Sequence, residues 1–308
     1  MDVKGETLFS QAKPRRWPGR IIQFPLVRML VVLVFLAPIL ILSNLTVIHV
    51  IRQVAEPYAS VLRYVRDILT FLLMVFAYRF YTRIIEKREA YELGYKGSLG
   101  EFGVGALISL AIVGIMVGLM ASLGYYRIDH LNSPHVLLMF LFRFGMAAFI
   151  EELVFRGIFF KLMEELCGSW IAMLATGVFF GFAHVANPNA TIWTSLGLVL
   201  SDTILFAAAY MLTRRIWLVW GLHLSWNYFQ TAVFGMPNSG VAHNGWITPA
   251  ISGPDWMTGG SFGIEASYVQ ILISLIVGLW VLKRAIARDQ TIPPVWRQSA
   301  RHGSGDEQ

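Results

Sequence analysis

The sequence predicts an all-α, polytopic membrane protein built as a bundle of about eight transmembrane helices. Of its 308 residues, 56% are hydrophobic and only 14% are charged, whereas soluble domains carry about 25% charged residues. The mean hydropathy is +0.58. Apolar runs of about 20 residues, enough to cross a bilayer, recur along the chain, and no polar segment of domain length separates them. The composition therefore excludes a soluble enzyme.

The apolar runs divide the chain into candidate spans and two polar ends. The spans are predicted at residues 28–50, 60–82, 101–124, 136–161, 169–187, 191–213, 216–234 and 266–284. The first run is longer than the core of a signal peptide, so we interpret it as an uncleaved span. The predicted units are a basic cytoplasmic N-terminal segment (1–27), the N-terminal transmembrane helices (28–134), a core that carries the polar motifs (135–230), a loop with the last transmembrane helix (231–285) and a polar C-terminal tail (286–308).

Basic residues gather at the ends of these spans. The net charge of +6 would suit a nucleic-acid partner in a soluble protein, but at helix ends it indicates membrane orientation. The connections on one side carry Arg83, Lys87, Arg88, Lys96, Lys161, Arg214, Arg215, Lys283, Arg284 and Arg288. The other side has fewer, and residues 234–265 contain no Lys or Arg. This asymmetry predicts that both termini are cytoplasmic.

Small residues and the single cysteine limit the packing and the redox chemistry. The pairs Gly114/Gly118 and Gly177/Gly181 have the small-xxx-small spacing, which predicts close helix contacts. Cys167 is the only cysteine, so the chain has neither an internal disulfide nor a cysteine metal cluster.

Two adjacent glutamates, Glu151 and Glu152, lie inside the apolar run 147–157. Carboxylates in a bilayer-spanning helix are costly and persist where they pair or face a wet cavity. Glu152 stands four residues before Arg156, the favourable order for a helical ion pair, so we interpret it as structural. Glu151 is rotated by about 100° from Glu152. It is left without that partner, as a general base working near pH 7 requires.

Two later spans carry further polar residues at helical spacing. His223 and Asn227 are four apart and share a helix face. A histidine can hold or donate a proton, and an asparagine amide can stabilise a developing oxyanion. His184 shares a face with Gly181 and Gly177, where a neighbouring helix can approach closely. Together with Glu151, these groups suffice to activate water against a peptide carbonyl.

Each of these groups also has a purely structural interpretation. A lone histidine in a membrane helix most often hydrogen-bonds to a neighbouring helix. Glu152 and Arg156 could simply form a buried ion pair that holds helices in register. Buried acids and histidines could also line the path of a transporter or proton relay, although no inverted repeat of broken helices is evident. A scaffold or immunity-type protein without turnover is a further alternative. The combination of all three sets in one chain favours a catalytic site.

The three motifs resemble those of the CAAX-processing and bacteriocin-processing family of intramembrane proteases, the CPBP or Abi family. That family has a Glu-Glu-x-x-x-Arg motif, then Phe-x-x-x-His, then His-x-x-x-Asn or Asp. This sequence has Glu151-Glu152-x-x-x-Arg156, Phe180-x-x-x-His184 and His223-x-x-x-Asn227. The similarity covers about residues 135–230, which would then be an Rce1-like catalytic core, named after the type 2 CAAX prenyl endopeptidase of eukaryotes.

The resemblance implies endoproteolysis within the membrane. By carry-over, Glu151 and His184 activate the water, and His223 and Asn227 bind the oxyanion. Glu152 and Arg156 support these groups. Members of the family have been described both as zinc enzymes and as metal-free glutamate proteases. Glu151, His184 and His223 could hold zinc, so the cofactor is either none or zinc. The expected partner is a protein or peptide substrate in the membrane, and the short loops suggest a prokaryotic cytoplasmic membrane.

The predicted depths of the motif residues conflict with this grouping. With strictly alternating spans, Glu151 falls in the inner half of its helix and His184 near the outer end of the next. They could meet only if the fifth helix were short, tilted or re-entrant, or if a crossing were missed. Asn187-Pro188 would permit a broken helix lining a wet cavity.

Other polar residues are assigned no catalytic role. Ser261, within a Gly-rich stretch that resembles a nucleophile elbow, lacks a preceding strand. Asp202 is predicted to bond a neighbouring helix rather than face a cavity. Arg143 is expected to extend toward the membrane surface, and His243 has no polar partner at helical spacing.

Overall fold

The computed structural model describes residues 8–13, 17–56 and 58–295, so parts of the predicted N-terminal segment and C-terminal tail lie outside the described residues. The helices, numbered in chain order, are α1 (Trp17–Ile22), α2 (Pro25–His49), α3 (Tyr58–Tyr81), α4 (Ser98–Ser122), α5 (His135–Glu152), α6 (Lys161–Ala183), α7 (Ile192–Thr213), α8 (Ile216–Asn227), α9 (Asp255–Thr258) and α10 (Tyr268–Ala287). The two strands are β1 (Tyr126–Leu131) and β2 (Ile247–Ile251). The all-α helix bundle is confirmed.

Six segments of the described chain are long and apolar enough to cross a membrane. They are Pro25–Gln53, Tyr58–Glu86, Ser98–Ser122, His135–Ala186, Ile192–Thr213 and Tyr268–Ala287. Two differences from the eight predicted spans are present. The predicted spans 136–161 and 169–187 both lie within His135–Ala186, a run of 52 residues that reverses at Gly168 and so still contains two helical stretches. The predicted span 216–234 consists of α8 followed by π-helical turns at Tyr228–Val233; it carries polar residues such as His223 and Asn227 and is not among the six.

Local sequence signals fix where several helices begin. Pro25 occupies the first turn of α2, where its missing N–H costs no hydrogen bond. Thr191 and Thr194 form a reciprocal capping box at the start of α7, with hydrogen bonds of 3.1 and 2.8 Å. Ser267 caps α10 by accepting a hydrogen bond from the N–H of Gln270.

Both ends of the described chain lie at one face of the bundle. Arg28, near the start of α2, forms an ion pair with Glu165. Arg214 donates hydrogen bonds to Gln290, which follows α10, and pairs with Glu164 at 2.5 Å. Since Glu164 and Glu165 are adjacent, the two ends meet here. We call this the terminal face and the opposite end of the bundle the far face.

Gly168 reverses the chain at the terminal face. Helix α5 continues through π-helical turns at Leu153–Phe160 into the first part of α6. At Gly168 the backbone leaves helical geometry, with φ 77° and ψ 169°, a region that glycine occupies at little cost. A Cβ on Gly168 would lie 2.7 Å from the carbonyl oxygen of Ile292, so the C-terminal segment packs directly against this turn.

The helical stretches on either side of Gly168 run antiparallel. The rings of Phe155 and Phe180 contact each other with centroids 5.0 Å apart. Nearer the turn, Phe159 contacts Phe179 at 5.2 Å. The pairing therefore advances in opposite directions along the two stretches, as in a helical hairpin.

This hairpin resolves the predicted depth conflict between Glu151 and His184. The prediction ended the fourth span at residue 161, but the helix runs on to the turn at Gly168. Glu151 then lies 17 residues before the turn and His184 lies 16 residues after it. Because both stretches rise by about 1.5 Å per residue, the two side chains reach the same level. A longer fourth helix, rather than a re-entrant fifth one, brings them together.

A two-stranded antiparallel sheet of β1 and β2 lies at the far face. This sheet was not predicted; β1 has six residues, of which only Tyr126 is buried, so it has no buried face like that of a typical strand. The Tyr126 hydroxyl donates to the carbonyl of Phe234 at 2.9 Å, and the N–H of Asn132 donates to the carbonyl of Trp246 at 2.7 Å. These bonds anchor residues 234–265, which we call the far-face loop.

One of the two predicted small-residue pairs makes a close helix contact. A Cβ on Gly177 would lie 1.6 Å from Oγ1 of Thr203, and one on Gly181 would lie 2.5 Å from the side chain of Val199. Helix α6 therefore approaches α7 closely, as predicted. The prediction for Gly114 and Gly118 is wrong, because a Cβ on either residue would meet no atom within 4 Å.

A buried ion cluster joins α2, α3 and α6 at the terminal face. This terminal-face ion cluster consists of Arg28, Tyr78, Tyr81, Glu86, Arg88, Glu92 and Lys161. Lys161, with 1% of its surface exposed, lies 2.9 Å from a carboxylate oxygen of Glu86. Arg88, Lys161 and Arg214 were interpreted as orientation signals beside lipid. That interpretation is wrong for these three, which are buried and paired with carboxylates.

The cluster predicts a stability loss in the Glu92→Gln variant. Glu92 is fully buried and pairs with Arg88 at 2.7 Å. Removing one partner of a buried pair costs about 3–5 kcal/mol. We therefore expect a lower melting temperature in detergent at pH 7, whereas Glu89→Gln, at an exposed position, should leave it unchanged. Equal melting temperatures of the Glu92 variant and the wild type would contradict a stabilising cluster.

The stability difference caused by Glu92 should also depend on pH. Burial alone would raise the pKa of Glu92, but the charges of Arg88 and Lys161 outweigh it and lower that pKa to about 2. The ionised carboxylate therefore stabilises the fold fully above its ordinary pKa of about 4.3. This contribution is lost as the pH falls from there toward 2. The difference in melting temperature between wild type and Glu92→Gln should accordingly shrink below pH 4.

Candidate active site

A cavity of about 210 Å³ lies between α5, α6, α7, α8 and the far-face loop. The four residues predicted to act in catalysis, Glu151, His184, His223 and Asn227, all line it. They come from three separate stretches of the chain, so the predicted convergence is present in the structure. We call this space the site cavity.

Glu152 lies behind the site cavity and bonds two other motif residues. It is fully buried, and its Oε1 accepts a hydrogen bond from Arg156 at 3.1 Å, the contact that their spacing predicted. The same oxygen lies 2.7 Å from Nδ1 of His223, a contact that the sequence did not predict. Because an ionised carboxylate only accepts hydrogen bonds, Nδ1 of His223 is the protonated nitrogen. Glu152 therefore fixes the orientation of the His223 ring.

Arg156 is held between two aromatic rings. Its guanidinium carbon lies 5.1 Å from the ring centre of Phe180 and 5.0 Å from that of Phe206, within the range of cation–π attraction. The ring of Phe206 also contacts that of His223 edge-on, at 5.6 Å. Arg156 thus positions Glu152, and through it His223, from inside the bundle.

Glu151 faces the second nitrogen of His223 across the cavity. Its Oε2 lies 3.7 Å from Nε2 of His223, which is beyond hydrogen-bond distance and suitable for one bridging water. The side chain of Glu151 is 38% exposed, whereas that of Glu152 is fully buried. The two adjacent carboxylates therefore have different environments, as the sequence predicted.

His184 presents one free ring nitrogen. Its Nδ1 lies 2.8 Å from the backbone carbonyl of Phe180, and a carbonyl oxygen can only accept, so Nδ1 carries the proton. In the neutral ring Nε2 is then a hydrogen-bond acceptor. His184 begins a 3₁₀ turn, His184–Ala186, at the end of α6. This position places the ring at the edge of the site cavity.

A tight turn of the far-face loop covers Asn227. Asn238 donates from Nδ2 to Oδ1 of Asn227 at 2.9 Å. With its oxygen bonded, the side chain of Asn227 has its NH₂ group left to donate to a ligand in the cavity. The turn itself is held by Asn187, which donates to the carbonyl of Ser239 at 2.9 Å, and by Glu265, which accepts from the N–H of Ser239 at 2.6 Å.

The far-face loop brings to the cavity residues that no sequence motif predicted. These are Asn238, Ser239, Val241, His243 and Glu265. His243, to which the sequence assigned no catalytic role, lines the cavity with its ring and contacts Phe140 and Phe144. Burial and the charge of Arg143 lower the pKa of His243. Asparagines line both sides of the cavity (Asn187, Asn227 and Asn238), but no helical spacing connects them, so the sequence alone does not link them to one site.

Two other predictions concern residues near the cavity. Asp202 lies in α7, but its side chain falls outside the described residues. Ser261 lines a different cavity, beside Trp256 and Tyr268, which agrees with its exclusion as a nucleophile.

Helices α5 and α8 both change to π-helical geometry directly after Glu152 and Asn227. The π-helical turns at Leu153–Phe160 follow Glu151 and Glu152, and those at Tyr228–Val233 follow Asn227. Such segments are uncommon and occur frequently at functional sites. Arg156 lies within the first of these segments.

Sequence comparison agrees with the motif pattern. Residues 133–229 match the family model of type II CAAX prenyl endopeptidases, Rce1-like. The Rce1-like resemblance is confirmed over this segment. A Bacillus subtilis (strain 168) protein named "Putative membrane peptidase YdiL" is 27% identical over 153 residues, which cover 46% of this chain and 60% of that protein. The chain thus spans less than two thirds of this relative. No solved structure matches the chain.

Glu151, His184 and His223 are the side chains of the Rce1-like segment that could hold a metal ion. Among the described residues, no group of three or more His, Cys, Asp or Glu side chains is arranged to hold a metal ion. Glu151 and His223 face each other. The ring of Phe180 contacts the rings of both histidines, with centroids 4.7 Å from His184 and 6.3 Å from His223. As the described residues are arranged, Glu151, His184 and His223 do not form such a group, and the reaction proposed below uses no metal.

Proposed function

We propose that this integral membrane protein is an intramembrane endopeptidase that hydrolyses a peptide bond with water activated by Glu151 and the site histidines. The observation that carries the proposal is the 3.7 Å separation of the Glu151 carboxylate from His223 in a polar cavity. The match of residues 133–229 to a prenyl endopeptidase family supports the same activity.

The proposed reaction begins with a water molecule between Glu151 and His184. Glu151 removes a proton from the water while the acceptor nitrogen of His184 orients it. The resulting hydroxide adds to the carbonyl carbon of the scissile bond and gives a tetrahedral intermediate. Glu151 then transfers its proton to the leaving nitrogen, the C–N bond breaks, and the products are a carboxylic acid and a free amine.

The developing oxyanion would be bound from α8. Asn227 donates from its NH₂ group, and His223 donates from Nε2 when that nitrogen carries a proton. Glu152 keeps the His223 ring in place through Nδ1, and Arg156 keeps Glu152 in place. Each predicted motif residue thereby has one role in the proposal.

We further propose that the substrate is a protein or peptide within the membrane, because of where the site cavity lies. The site cavity is covered by the far-face loop, which contains no Lys or Arg, as expected for an extracytoplasmic loop. Both termini would then be cytoplasmic. The relative from Bacillus subtilis supports a prokaryotic cytoplasmic membrane.

The activity is tested with purified protein in liposomes. A panel of synthetic peptides with hydrophobic segments, some carrying a prenylated C-terminal cysteine, is incubated with the protein and analysed by mass spectrometry for new termini. We expect cleavage of at least one peptide, unchanged by a zinc chelator. Absence of new termini across the panel would contradict the protease proposal. Loss of cleavage with chelator, restored by zinc, would contradict the metal-free mechanism and reassign Glu151, His184 and His223 as ligands.

The contact between Asn238 and Asn227 gives a prediction for kcat. Removing the Asn238 amide in Asn238→Ala leaves Asn227 free to rotate, so that its NH₂ group no longer points at the oxyanion. Loss of a whole oxyanion donor costs about 10²–10³-fold in kcat, so we expect a smaller decrease of about tenfold with KM little changed. In Asn227→Ala, adding Asn238→Ala should cause no further loss.

A neighbouring residue supplies the control for this variant. Asn244 lies in the same loop with its side chain exposed, so Asn244→Ala should retain the wild-type rate. Additive effects of the Asn227 and Asn238 substitutions would show that Asn238 does not act through Asn227.

A further inference from the structure

A second cavity, of about 430 Å³, opens between α2, α3 and α5 on the far-face side of the bundle. It shares no lining residue with the site cavity. Three arginines line it, Arg63, Arg66 and Arg143, together with aliphatic side chains that include Met146 and Ile150. We call it the arginine groove.

The guanidinium groups in the arginine groove are incompletely neutralised. Arg63 pairs with Glu56, and Arg66 pairs with Asp67 at 2.9 Å. Arg143 has no ion pair or hydrogen bond with any of the described residues. The three arginines and two carboxylates therefore leave one positive charge in excess in this groove.

Arg66 also has unused hydrogen-bonding capacity. Its Nε is buried and has no partner among the residues that the structure describes. Besides its ion pair with Asp67, Arg66 donates from another guanidinium nitrogen to the Ser43 hydroxyl at 3.5 Å. A buried donor without an acceptor is costly, so an anion that entered the groove could satisfy it.

The groove lies where a lipid headgroup would be. Arg66 is eight residues from the start of α3 and Arg143 is eight residues from the start of α5, about 12 Å along each helix. Apolar side chains that flank it are exposed, with Val61 at 57% and Phe142 at 40%, as expected for a surface that faces lipid. An anion that reaches this position must itself be partly embedded in the membrane.

We propose that the arginine groove binds the phosphate of an anionic phospholipid. Guanidinium groups bind phosphate oxygens in a bidentate manner. The positive charge of Arg143 matches the net negative charge of an anionic lipid, which a zwitterionic lipid lacks. The acyl chains would lie along Met146 and Ile150. Since Ile150 precedes Glu151, a lipid bound here would border the helix that carries the proposed base. The binding does not depend on the proposed proteolysis.

The proposal is tested by thermal unfolding of the purified full-length protein in neutral detergent. Phosphatidylglycerol, phosphatidylcholine and glycerol phosphate are each titrated. We expect a concentration-dependent rise in melting temperature with phosphatidylglycerol alone. An equal rise with phosphatidylcholine would overturn a headgroup-specific site, and an equal rise with glycerol phosphate would show a site for small anions instead of a lipid.

Variants of the arginines locate the binding. Arg143→Gln removes an exposed group that makes no bond, so it should fold normally, yet the apparent affinity for phosphatidylglycerol should fall about tenfold, the loss of one charged hydrogen-bonding partner. Arg63→Gln should also weaken binding. Arg127→Gln, an exposed arginine on the far face outside the groove, is the matched control. If Arg143→Gln and Arg127→Gln bind equally well, the groove is not the site.

Discussion

The Glu151→Gln variant is expected to lose peptide-bond hydrolysis while keeping its fold. General base catalysis contributes about 10²–10⁴-fold to a rate, and the amide of glutamine cannot accept the proton from water. The Glu151 side chain is 38% exposed and forms no ion pair with Arg or Lys among the described residues, so replacing it should not destabilise the bundle. Initial cleavage rates and the melting temperature, measured on the same preparation, check both parts.

An exposed glutamate supplies the control for Glu151→Gln. Glu89→Gln has the same chemical change at the terminal face and should cleave at the wild-type rate. If Glu151→Gln cleaves as fast as Glu89→Gln, Glu151 is not the base. A loss of both activity and melting temperature would instead assign Glu151 a structural role.

The Glu152→Gln variant is expected to lose both activity and stability. Glu152 is the acceptor for Arg156 and for Nδ1 of His223, and both of these partners are buried. Replacing a carboxylate that orients a catalytic histidine lowers kcat by up to about 10⁴-fold. Leaving Arg156 buried without its partner costs about 3–5 kcal/mol. Cleavage rates and thermal unfolding should both show the change.

Glu165 supplies the comparison for Glu152→Gln. Its side chain is 20% exposed and pairs with Arg28 at the terminal face, away from the site cavity. Glu165→Gln should therefore lower the melting temperature without a comparable fall in kcat. If the two variants lose activity in proportion to their loss of stability, Glu152 has no specific role in orienting His223.

The sequence could predict the contacts that depend on spacing within one helix. The four-residue separations of Glu152 from Arg156 and of His223 from Asn227 place each pair on one helix face, and the structure shows both. Such same-face contacts follow from 3.6 residues per turn and need no knowledge of the rest of the fold. The spacing of Gly177 and Gly181 predicted the approach of α6 to α7, but the same spacing at Gly114 and Gly118 makes no close contact, because a partner helix depends on the rest of the fold.

The sequence could not predict contacts between distant segments. The hydrogen bond from His223 to Glu152 joins residues 71 apart in sequence, and nothing in either motif specifies it. The far-face loop reaches the site through Asn238 and His243, residues without a periodic pattern. The terminal-face ion cluster was missed for the same reason, because buried charges and charges beside lipid look alike in a sequence.

Gly168 shows how one residue changed the predicted geometry. The sequence placed the fourth span's end at residue 161, where the apolar run stops. The length of the apolar run indicates how many residues the membrane covers. The helix itself continues past residue 161 until Gly168, where the backbone can reverse direction. The difference of several residues was enough to separate Glu151 and His184 in the predicted topology.

An experimentally determined structure in a lipid nanodisc tests the convergence of the motif residues most directly. The measurement is the distance between the Glu151 carboxylate and Nε2 of His223, with the position of the His184 ring relative to both. The account predicts a distance close to 3.7 Å and all three side chains on one water-containing cavity. A carboxylate farther from both rings than one bridging water can span, about 6 Å, would contradict it.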